Sequence, residues 1–292
     1  MLCDLESRLN CSECSECSEP LPYYGTECPV CSSFIGFPNV RKAESEEGEL
    51  NSRYESATSS LEVKGATAVS QEFQDAVNSS NVVMARSLTQ MIPVIANENQ
   101  LVATFHGQVA ANARLAEQNE FDQTREAFES KIYPYDYKDI HYAALSLNNI
   151  GISYFGNCHI KFKNDLIKRR STVFEENVYD FLKKYQVQTT GNSKVPKGFR
   201  AAWDQRGKLA VCKLHSMLNS ETSSEEFQGI VSCEDPVKGN DFIEVHIYGN
   251  IHLKSFDVIT AVGQLRPPEL ALLDAYRPKL EDYGIKLERT VT

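Results

Sequence analysis

The run CSECSEPLPYYGTECPVC, residues 14–31, contains two Cys-x-x-Cys pairs separated by a short loop. Two such pairs can place four thiolates at the corners of a tetrahedron, and Zn²⁺ favours that geometry. A segment this short cannot build a hydrophobic core, so bound metal would supply its stability. Because four thiolates leave no position for water or substrate, the pattern predicts a structural zinc site and not a catalytic one.

The residues alone leave the first pair open, because Cys11, Cys14 and Cys17 recur at every third position. Either Cys11 with Cys14, or Cys14 with Cys17, could supply two ligands. The second pair is Cys28 with Cys31. The spacing therefore predicts four ligands but not which cysteines form the first pair.

This stretch resembles the common bacterial zinc ribbon, in which two such pairs flank Leu-Pro and a loop that contains glycine. The matching positions outside the pairs are Leu21, Pro22, Gly25 and Pro29. The resemblance covers little more than residues 11–36, and it implies that the zinc ligands are Cys14, Cys17, Cys28 and Cys31. It also implies that Cys3 and Cys11 are bystanders. The chain departs from the family at Ser18 and Ser32, where glycine is usual, so we expect strained turns there.

The surroundings of these cysteines favour metal over disulfides. Residues 1–10 mix acidic and basic side chains and lack an apolar run, unlike a secretory leader. No stretch approaches the roughly 18 consecutive apolar residues of a membrane span. Nine cysteines in 292 residues are also few for a disulfide scaffold. We therefore expect a cytoplasmic protein without a membrane segment, whose clustered cysteines bind metal.

Negative charge is concentrated at the N-terminal end. Residues 1–60 contain 11 acidic and 4 basic side chains, a net charge of −7 out of −10 for the whole chain. Phosphate contacts dominate affinity for nucleic acid, and this surface would repel phosphate. We therefore expect the ribbon to contact a protein partner, with nucleic acid the less favoured ligand.

Composition and periodicity divide the chain into four parts. Residues 1–38 form the ribbon, and residues 39–66, rich in Glu, Ser and Gly, are expected to be an acidic linker. Residues 67–130 show the apolar spacing of helices. Residues 131–292, the candidate catalytic domain, contain short β-branched and aromatic runs typical of strands, with a few helices. Helices followed by strands predict an α+β fold with a mixed or antiparallel sheet.

Three finer predictions concern the last region. The run STVFEENVYDFLKKYQ, residues 171–186, is expected to be a helix with Ser171 or Thr172 as its N-cap. The run KLAVCKLH, residues 208–215, is expected to be a strand. The alternation in NCHIKFKND indicates a strand with His159 on its solvent-exposed face.

Three groups of residues in that region could carry chemistry. His141 and Tyr142 open a predicted strand. The basic run 168–170 precedes a hydroxyl at the predicted helix start, which would suit an anion such as phosphate. Glu244 lies among apolar strand residues, where a carboxylate can act as a general base or stabilise a cation. Each group also has a structural interpretation, respectively a hydrogen-bonded edge pair, a solvated helix start and a salt bridge across strands.

The order of these groups resembles the NAD-dependent ADP-ribosyltransferases. The resemblance implies a small split β-sheet core and NAD as the substrate. It implies that His141, or Arg170 in its place, holds the dinucleotide. Tyr154 or Ser171 would contribute an aromatic ring or a hydroxyl. Glu244 would contact the nicotinamide ribose and stabilise an oxocarbenium-like transition state.

The resemblance spans roughly residues 139–262 and departs from the family in two places. The chain has no Ser-Thr-Ser triplet, and Phe242 stands two residues before Glu244, where a second Glu or Gln is usual. These departures leave the acceptor class open. A transferase that carries a zinc ribbon would suit a bacterial toxin or an effector of antiviral defence.

Two other classes of function stay open. A non-enzymatic adaptor would use the ribbon and the helices for contacts, with Glu244 in a structural role. A phosphodiesterase or nuclease would use His159, His246 and the basic run, but the acidic balance and the lack of a paired-carboxylate motif disfavour it. Dinucleotide binding would separate the transferase from the adaptor, because a ligand stabilises the folded state that binds it.

Overall fold

The computed structural model of the chain describes residues 13–112, 120–235 and 239–290. Cys3 and Cys11, the predicted bystanders, lie outside these described residues. Of the alternative first pair, Cys11 with Cys14, only Cys14 is therefore described.

Eleven helices and ten strands occur in the described part of the chain. The helices are α1 (Pro38–Glu44), α2 (Glu47–Val63), α3 (Thr67–Asn78), α4 (Leu88–Ala96), α5 (Phe105–Ala110), α6 (Glu120–Ile132), α7 (Asn164–Ile167), α8 (Val178–Lys184), α9 (Arg206–Leu214), α10 (Phe227–Val231) and α11 (Pro267–Asp282). The strands are β1 (Asn81–Arg86), β2 (Ile140–Ser146), β3 (Cys158–Phe162), β4 (Ser171–Phe174), β5 (Arg200–Ala202), β6 (Ser232–Asp235), β7 (Gly239–Phe242), β8 (Glu244–Tyr248), β9 (Phe256–Val262) and β10 (Lys286–Thr290). Each helix within the described ranges is too short or too polar to cross a bilayer.

Eight of the strands form one sheet in the order β10-β9-β3-β1-β2-β8-β4-β5. Its pairs are antiparallel except for β9 and β10, which run parallel. The remaining strands, β6 and β7, pair only with each other among the described residues. The predicted α+β class with a mixed, mainly antiparallel sheet is confirmed.

Helices cover both faces of this sheet. On the α3/α9 face, Leu145 of β2 belongs to the same hydrophobic cluster as Phe73 of α3 and Leu209 of α9. On the opposite, α6/α8 face, a second cluster joins β4, α6 and α8 through Phe174, Ile132 and Phe181. Because side chains alternate along a strand, neighbouring residues of one strand belong to different cores.

The segment predicted as an acidic linker, residues 39–66, forms α1 and α2 instead of a solvated connection. Leu50, Ala57 and Leu61 of α2 are buried in the larger core. Their spacing places them on one side of a helix, where a few apolar residues are enough to make a packing stripe. The average composition of the segment, dominated by Glu and Ser, hides that stripe.

A strand occupies the centre of the sheet where the sequence predicts helix. β1 lies inside the region 67–130, and its residues Val82–Ala85 are buried between β2 and β3. Burial on both faces removes the alternating signal of a strand, and the helices on either side mask so short a run. The following helix, α4, starts where Ser87 and Gln90 form a capping box.

Two further segments differ in type from their predictions. Residues 208–214, predicted as strand, belong to α9, in which Leu209–Cys212 are all buried. An apolar run that is buried all round has no period that separates helix from strand. Residues 171–174, predicted as the start of a helix, form β4. The helix begins instead at Val178, where the side chain of Asn177 caps its first turn.

A buried ion pair joins the start of α2 to β5. Arg200 Nε lies 3.1 Å from Glu46 Oε2, and the two side chains are 1% and 2% exposed. The same carboxylate oxygen accepts a hydrogen bond from the backbone N–H of Gly198. A Cβ at Gly198, whose φ is +79°, would lie 2.8 Å from the backbone carbon of Glu49. Only glycine therefore lets this loop approach α2 so closely.

Replacing Glu46 by Gln should lower the free energy of unfolding by about 3 kcal/mol, because the Arg200 guanidinium would stay buried without its counter-charge. Glu49→Gln is the matched control, since Glu49 forms an exposed pair with Lys197 at 3.5 Å. Such a surface pair contributes only about 0.5 kcal/mol. Urea unfolding measures both variants. Equal losses would show that the buried pair does not hold α2 on β5.

Candidate functional site

The four predicted zinc ligands form one cluster. The Sγ atoms of Cys14, Cys17, Cys28 and Cys31 all lie within 4.8 Å of one another. Cys14 Sγ and Cys31 Sγ are 3.6 Å apart, as are Cys17 Sγ and Cys28 Sγ. Four sulfurs at about 2.3 Å from a tetrahedral Zn²⁺ are separated by about 3.8 Å. The donor set and its spacing therefore fit zinc.

Both cysteine pairs adopt the same turn. The backbone N–H of Ser18 donates to the carbonyl of Cys14 at 2.8 Å, and the N–H of Ser32 donates to the carbonyl of Cys28 at 2.9 Å. Ser18 has φ +59° and Ser32 has φ +57°. These are left-handed conformations that cost a residue with a Cβ roughly 1–2 kcal/mol. The strain expected from serine in place of glycine is therefore present at both turns.

The hydroxyl of Ser33, two residues after the second pair, contacts one cysteine of each pair. Ser33 Oγ lies 3.2 Å from Cys14 Sγ and 3.0 Å from Cys31 Sγ. Hydrogen bonding by Ser33 lowers the pKa of Cys14 to about 6 and also lowers the pKa of Cys31. A lower thiol pKa favours the thiolate, which is the form that binds metal.

Arg41 of α1 fixes the ribbon to the rest of the protein. Its guanidinium donates hydrogen bonds to the backbone carbonyls of Pro22, Tyr24, Gly25, Ile35 and Gly36. The N–H of Gly25 also donates to Asp136 Oδ1 at 3.2 Å. The Tyr24 and Tyr135 rings lie 5.0 Å apart. The cysteine-bearing turns are thus attached to the helix that follows them and to the segment before β2.

Glu244 lines a cavity on the α6/α8 face of the sheet. The cavity has a volume of about 60 Å³, and the small side chains of Ala85 and Ala144 lie beneath it. Arg86 and Arg125 contribute positive charge to its wall. Tyr142, Phe155 and Phe242 contribute aromatic surface. A carboxylate, two guanidinium groups and aromatic rings therefore meet around one small space.

A side-chain amide, a backbone N–H and an imidazole ring hold the Glu244 carboxylate in place. Asn177 Nδ2 donates to Oε1 at 2.9 Å, and the backbone N–H of Val178 donates to Oε2 at 3.2 Å. His246 Nε2 lies 3.0 Å from the same Oε2. Donors on both oxygens suit an ionised carboxylate more than a protonated acid. These bonds fix the orientation of the carboxylate, which suits the stabilisation of a cation.

Arg125 and Tyr142 lie close together in the lining of this cavity. The Arg125 guanidinium lies 4.5 Å from the centre of the Phe105 ring and 5.3 Å from that of Tyr142, and it forms an ion pair with Glu129. Burial, and secondly the charge of Glu129, raise the pKa of Tyr142 well above its ordinary value. Among the described residues, the buried Tyr142 hydroxyl has no hydrogen-bond partner. It is therefore a neutral donor available to a ligand.

The structure separates His141 and Ser171 from Glu244. In the strand register, Ile247 stands opposite both His141 and Ser171, and Ala144 stands opposite Glu244. Side chains alternate along β2 and β8, so His141 and Ser171 belong to the α3/α9 face and Glu244 to the other. Ser171 is buried, and its hydroxyl donates to the Ile167 carbonyl at 2.8 Å. Ser171 is thus neither an N-cap nor part of the Glu244 cavity lining.

The basic run and His141 lie close together at one end of the sheet. Arg170 donates to the backbone carbonyl of Tyr248, and the run forms a 3-10 turn before a strand, not the predicted helix start. Burial, with the charges of Arg86 and Arg170, lowers the pKa of His141 to about 3. His141 lines a separate cavity of about 500 Å³. The predicted anion site at a helix N-terminus is therefore wrong in its structural basis.

Two other predicted residues have different surroundings. Tyr154 is 79% exposed and precedes Phe155, whose side chain lines the Glu244 cavity. His159 is fully buried, which corrects its predicted place on a solvent-exposed face. Its Nδ1 accepts from the N–H of Gly151 and its Nε2 bonds the Gly156 carbonyl, both at 3.0 Å. Both ring nitrogens are thus committed to backbone groups.

The sequence interpretation missed Arg125 and Asn177 as neighbours of Glu244. Asn177 carries a usable signal, because Asn before an apolar and acidic turn is a strong N-cap. Arg125 carries no such signal, because no local sequence pattern indicates how α6 packs on the sheet. The sequence analysis groups Tyr142 with His141, whereas in the structure Tyr142 shares a cavity with Glu244.

Neither a protein-family model nor a curated protein matches this chain.

Replacing Cys31 by Ser should abolish stoichiometric zinc, because a hydroxyl is a poor zinc ligand beside three thiolates. Cys31 is preferred to a member of the first pair because Cys11 could replace a ligand lost there. Cys233→Ser is the control, since Cys233 is an exposed cysteine outside the cluster. Elemental analysis of the purified proteins should give one zinc per chain for the wild type and the control. Full zinc in Cys31→Ser would rule out the proposed ligand set.

Replacing His141 by Gln should flatten the acid limb of the stability curve. The folded-state pKa of His141 is about 3 against an ordinary 6.5, so the unfolded chain binds a proton first as pH falls. Wild-type stability should therefore fall by up to about 1.4 kcal/mol per pH unit below pH 6.5 on account of this group. His252→Gln, at an exposed histidine, should keep that slope. Identical slopes in the two variants would contradict a buried neutral His141.

Proposed function

We propose that this chain is a zinc-ribbon protein whose α+β domain transfers ADP-ribose from NAD to a macromolecular target. The zinc is structural, because its four thiolate ligands leave no open position. The observation that carries the enzymatic part is the Glu244 carboxylate, held by an amide, a backbone N–H and an imidazole ring beside two arginines in one cavity.

The reaction needs a fixed negative charge. When the bond between nicotinamide and ribose breaks, nicotinamide leaves with the electron pair, and the ribose carbon C1′ becomes positive. A carboxylate that is already oriented stabilises that charge without reorganising. The acceptor nucleophile then bonds to C1′ and loses its proton. Glu244 has the fixed orientation that this role requires.

The positive charges suit the other end of the substrate. NAD carries a pyrophosphate, and Arg86 and Arg125 line the cavity that contains Glu244. A cavity of about 60 Å³ holds only part of such a molecule. Arg86 also lines a neighbouring cavity of about 500 Å³ between α4 and the segment 100–103. The nicotinamide ribose would lie at Glu244, the pyrophosphate at Arg86, and the adenosine in the larger space.

The other residues implied by the family resemblance differ in how close they lie to these cavities. His141 lines a further cavity of about 500 Å³ that also contains the segment 100–103, so it could still contact the dinucleotide. Tyr154 lies next to the cavity residue Phe155. Arg170 is near His141, and Ser171 has a structural hydrogen bond. In this proposal Tyr142 supplies the hydroxyl that the resemblance assigns to Ser171 or Tyr154.

A second candidate, a non-enzymatic adaptor, is favoured by the surface of the ribbon. Residues 13–36 contain four glutamates and no basic residue. Val30 and Phe34 are nevertheless 65% and 62% exposed. An acidic surface with exposed apolar side chains suits a basic protein partner. In the transferase proposal, the same surface would select the target of a toxin or defence effector in the cytoplasm.

Replacing Glu244 by Gln should lower NAD turnover about 100-fold, because the neutral amide removes the charge that stabilises the ribose cation. The products, nicotinamide and ADP-ribosylated protein, are measured by mass spectrometry of purified protein with labelled NAD. Glu288→Gln on the exposed edge of β10 is the control and should keep the wild-type rate. Circular dichroism confirms that both variants fold.

An unchanged rate in Glu244→Gln would exclude Glu244 as the charged group. If the wild-type protein releases no nicotinamide and NAD does not raise its melting temperature, the transferase proposal fails. The adaptor would then be the better interpretation of the ribbon surface.

A further inference from the structure

Glu244 is one end of a chain of three buried polar side chains. His246 Nε2 lies 3.0 Å from Glu244 Oε2, and the Tyr133 hydroxyl lies 2.8 Å from His246 Nδ1. All three residues are less than 5% exposed. We propose that His246 is a positioning residue that orients the Glu244 carboxylate, and that Tyr133 fixes the histidine in its Nε2–H tautomer. This inference rests on the proposed role of Glu244.

Hydrogen-bond polarity determines the tautomer. A carboxylate only accepts, so Nε2 must carry the proton that points at Glu244. In a neutral ring Nδ1 then carries a lone pair, to which the Tyr133 hydroxyl donates. Burial raises the pKa of Tyr133, so this hydroxyl keeps its proton. The opposite tautomer would set the Nε2 lone pair against a carboxylate oxygen and leave both without a proton between them.

Aromatic packing prevents the His246 ring from turning. The Phe174 ring stacks on it at 5.3 Å with an interplanar angle of 26°. Tyr142 and Tyr133 meet it edge-on, at 4.9 Å and 5.4 Å. A ring enclosed on three sides keeps its nitrogens aimed at two fixed partners. The orientation of Glu244 therefore depends on residues that do not line its cavity.

The helices that follow the ribbon contact the Tyr133–His246–Glu244 series of side chains. Asn39 of α1 donates its Nδ2 hydrogens to the backbone carbonyls of His246 and Arg170, at 3.1 Å and 3.0 Å. The Arg200 guanidinium, paired with Glu46 at the start of α2, lies 5.4 Å from the centre of the Tyr133 ring. The segment between the ribbon and the domain thus supports both ends of the Tyr133–His246 bond.

The test is the ring-nitrogen NMR spectrum of protein labelled with ¹⁵N-histidine, which needs no substrate. His246 is assigned as the signal lost in His246→Gln. In the wild type it should show one neutral Nε2–H tautomer. Tyr133→Phe should shift the Nδ1 signal, because its donor is gone, whereas Tyr137→Phe, the control on the same segment, should leave His246 unchanged. A wild-type Nδ1–H tautomer, an imidazolium, or a Tyr133→Phe spectrum identical to the wild type at His246 would overturn the inference.

Kinetics then separate positioning from substrate binding. In a protein that turns over NAD, Tyr133→Phe should lower kcat about tenfold with KM unchanged, because the phosphate-binding arginines are untouched. A raised KM with unchanged kcat would overturn the positioning role. Absence of NAD turnover in the wild type would defeat the proposed function alone, and the NMR result would still decide the tautomer.

Discussion

Four sulfur–metal bonds are the source of stability that we propose for a segment that has no core of its own. Within residues 13–36, Cys14 and Cys28 are the only buried residues, and both are ligands. Hydrophobic burial therefore cannot fold this segment. In zinc-finger peptides the apparent free energy of zinc binding is about 10–16 kcal/mol. In this segment the same free energy would also offset the cost of the strained turns at Ser18 and Ser32. Metal release should unfold the ribbon as a unit.

The cysteine cluster and the Glu244 cavity are joined by the helices between them. Arg41 binds the carbonyls of the ribbon, and two residues earlier Asn39 binds the backbone carbonyl of His246. Glu46 then pairs with Arg200 beside Tyr133. A segment whose composition predicts a free linker is instead a structural connection. The ribbon is built into the domain that contains the cavity and is not a tethered appendage.

Features that depend only on residues close together in sequence can be predicted from the sequence. The Cys-x-x-Cys spacing predicts four metal ligands, and the resemblance to the zinc ribbon implies which four they are and where serine replaces glycine. Both depend on a few adjacent residues. The element type of β1 and α9 could not be predicted, since each is buried all round and loses its period. The partition of His141 and Glu244 to opposite faces depends on strand pairing between β2 and β8, which are about 100 residues apart in sequence. No local pattern encodes that register.

The most direct test of the central claim is X-ray absorption at the zinc edge on the purified protein. A closed ribbon site predicts one zinc per chain, surrounded by four sulfur atoms at about 2.3 Å and by no nitrogen or oxygen. A protein without zinc, or a zinc whose first coordination shell contains nitrogen or oxygen, would contradict a ribbon that is folded by zinc bound to these four cysteines.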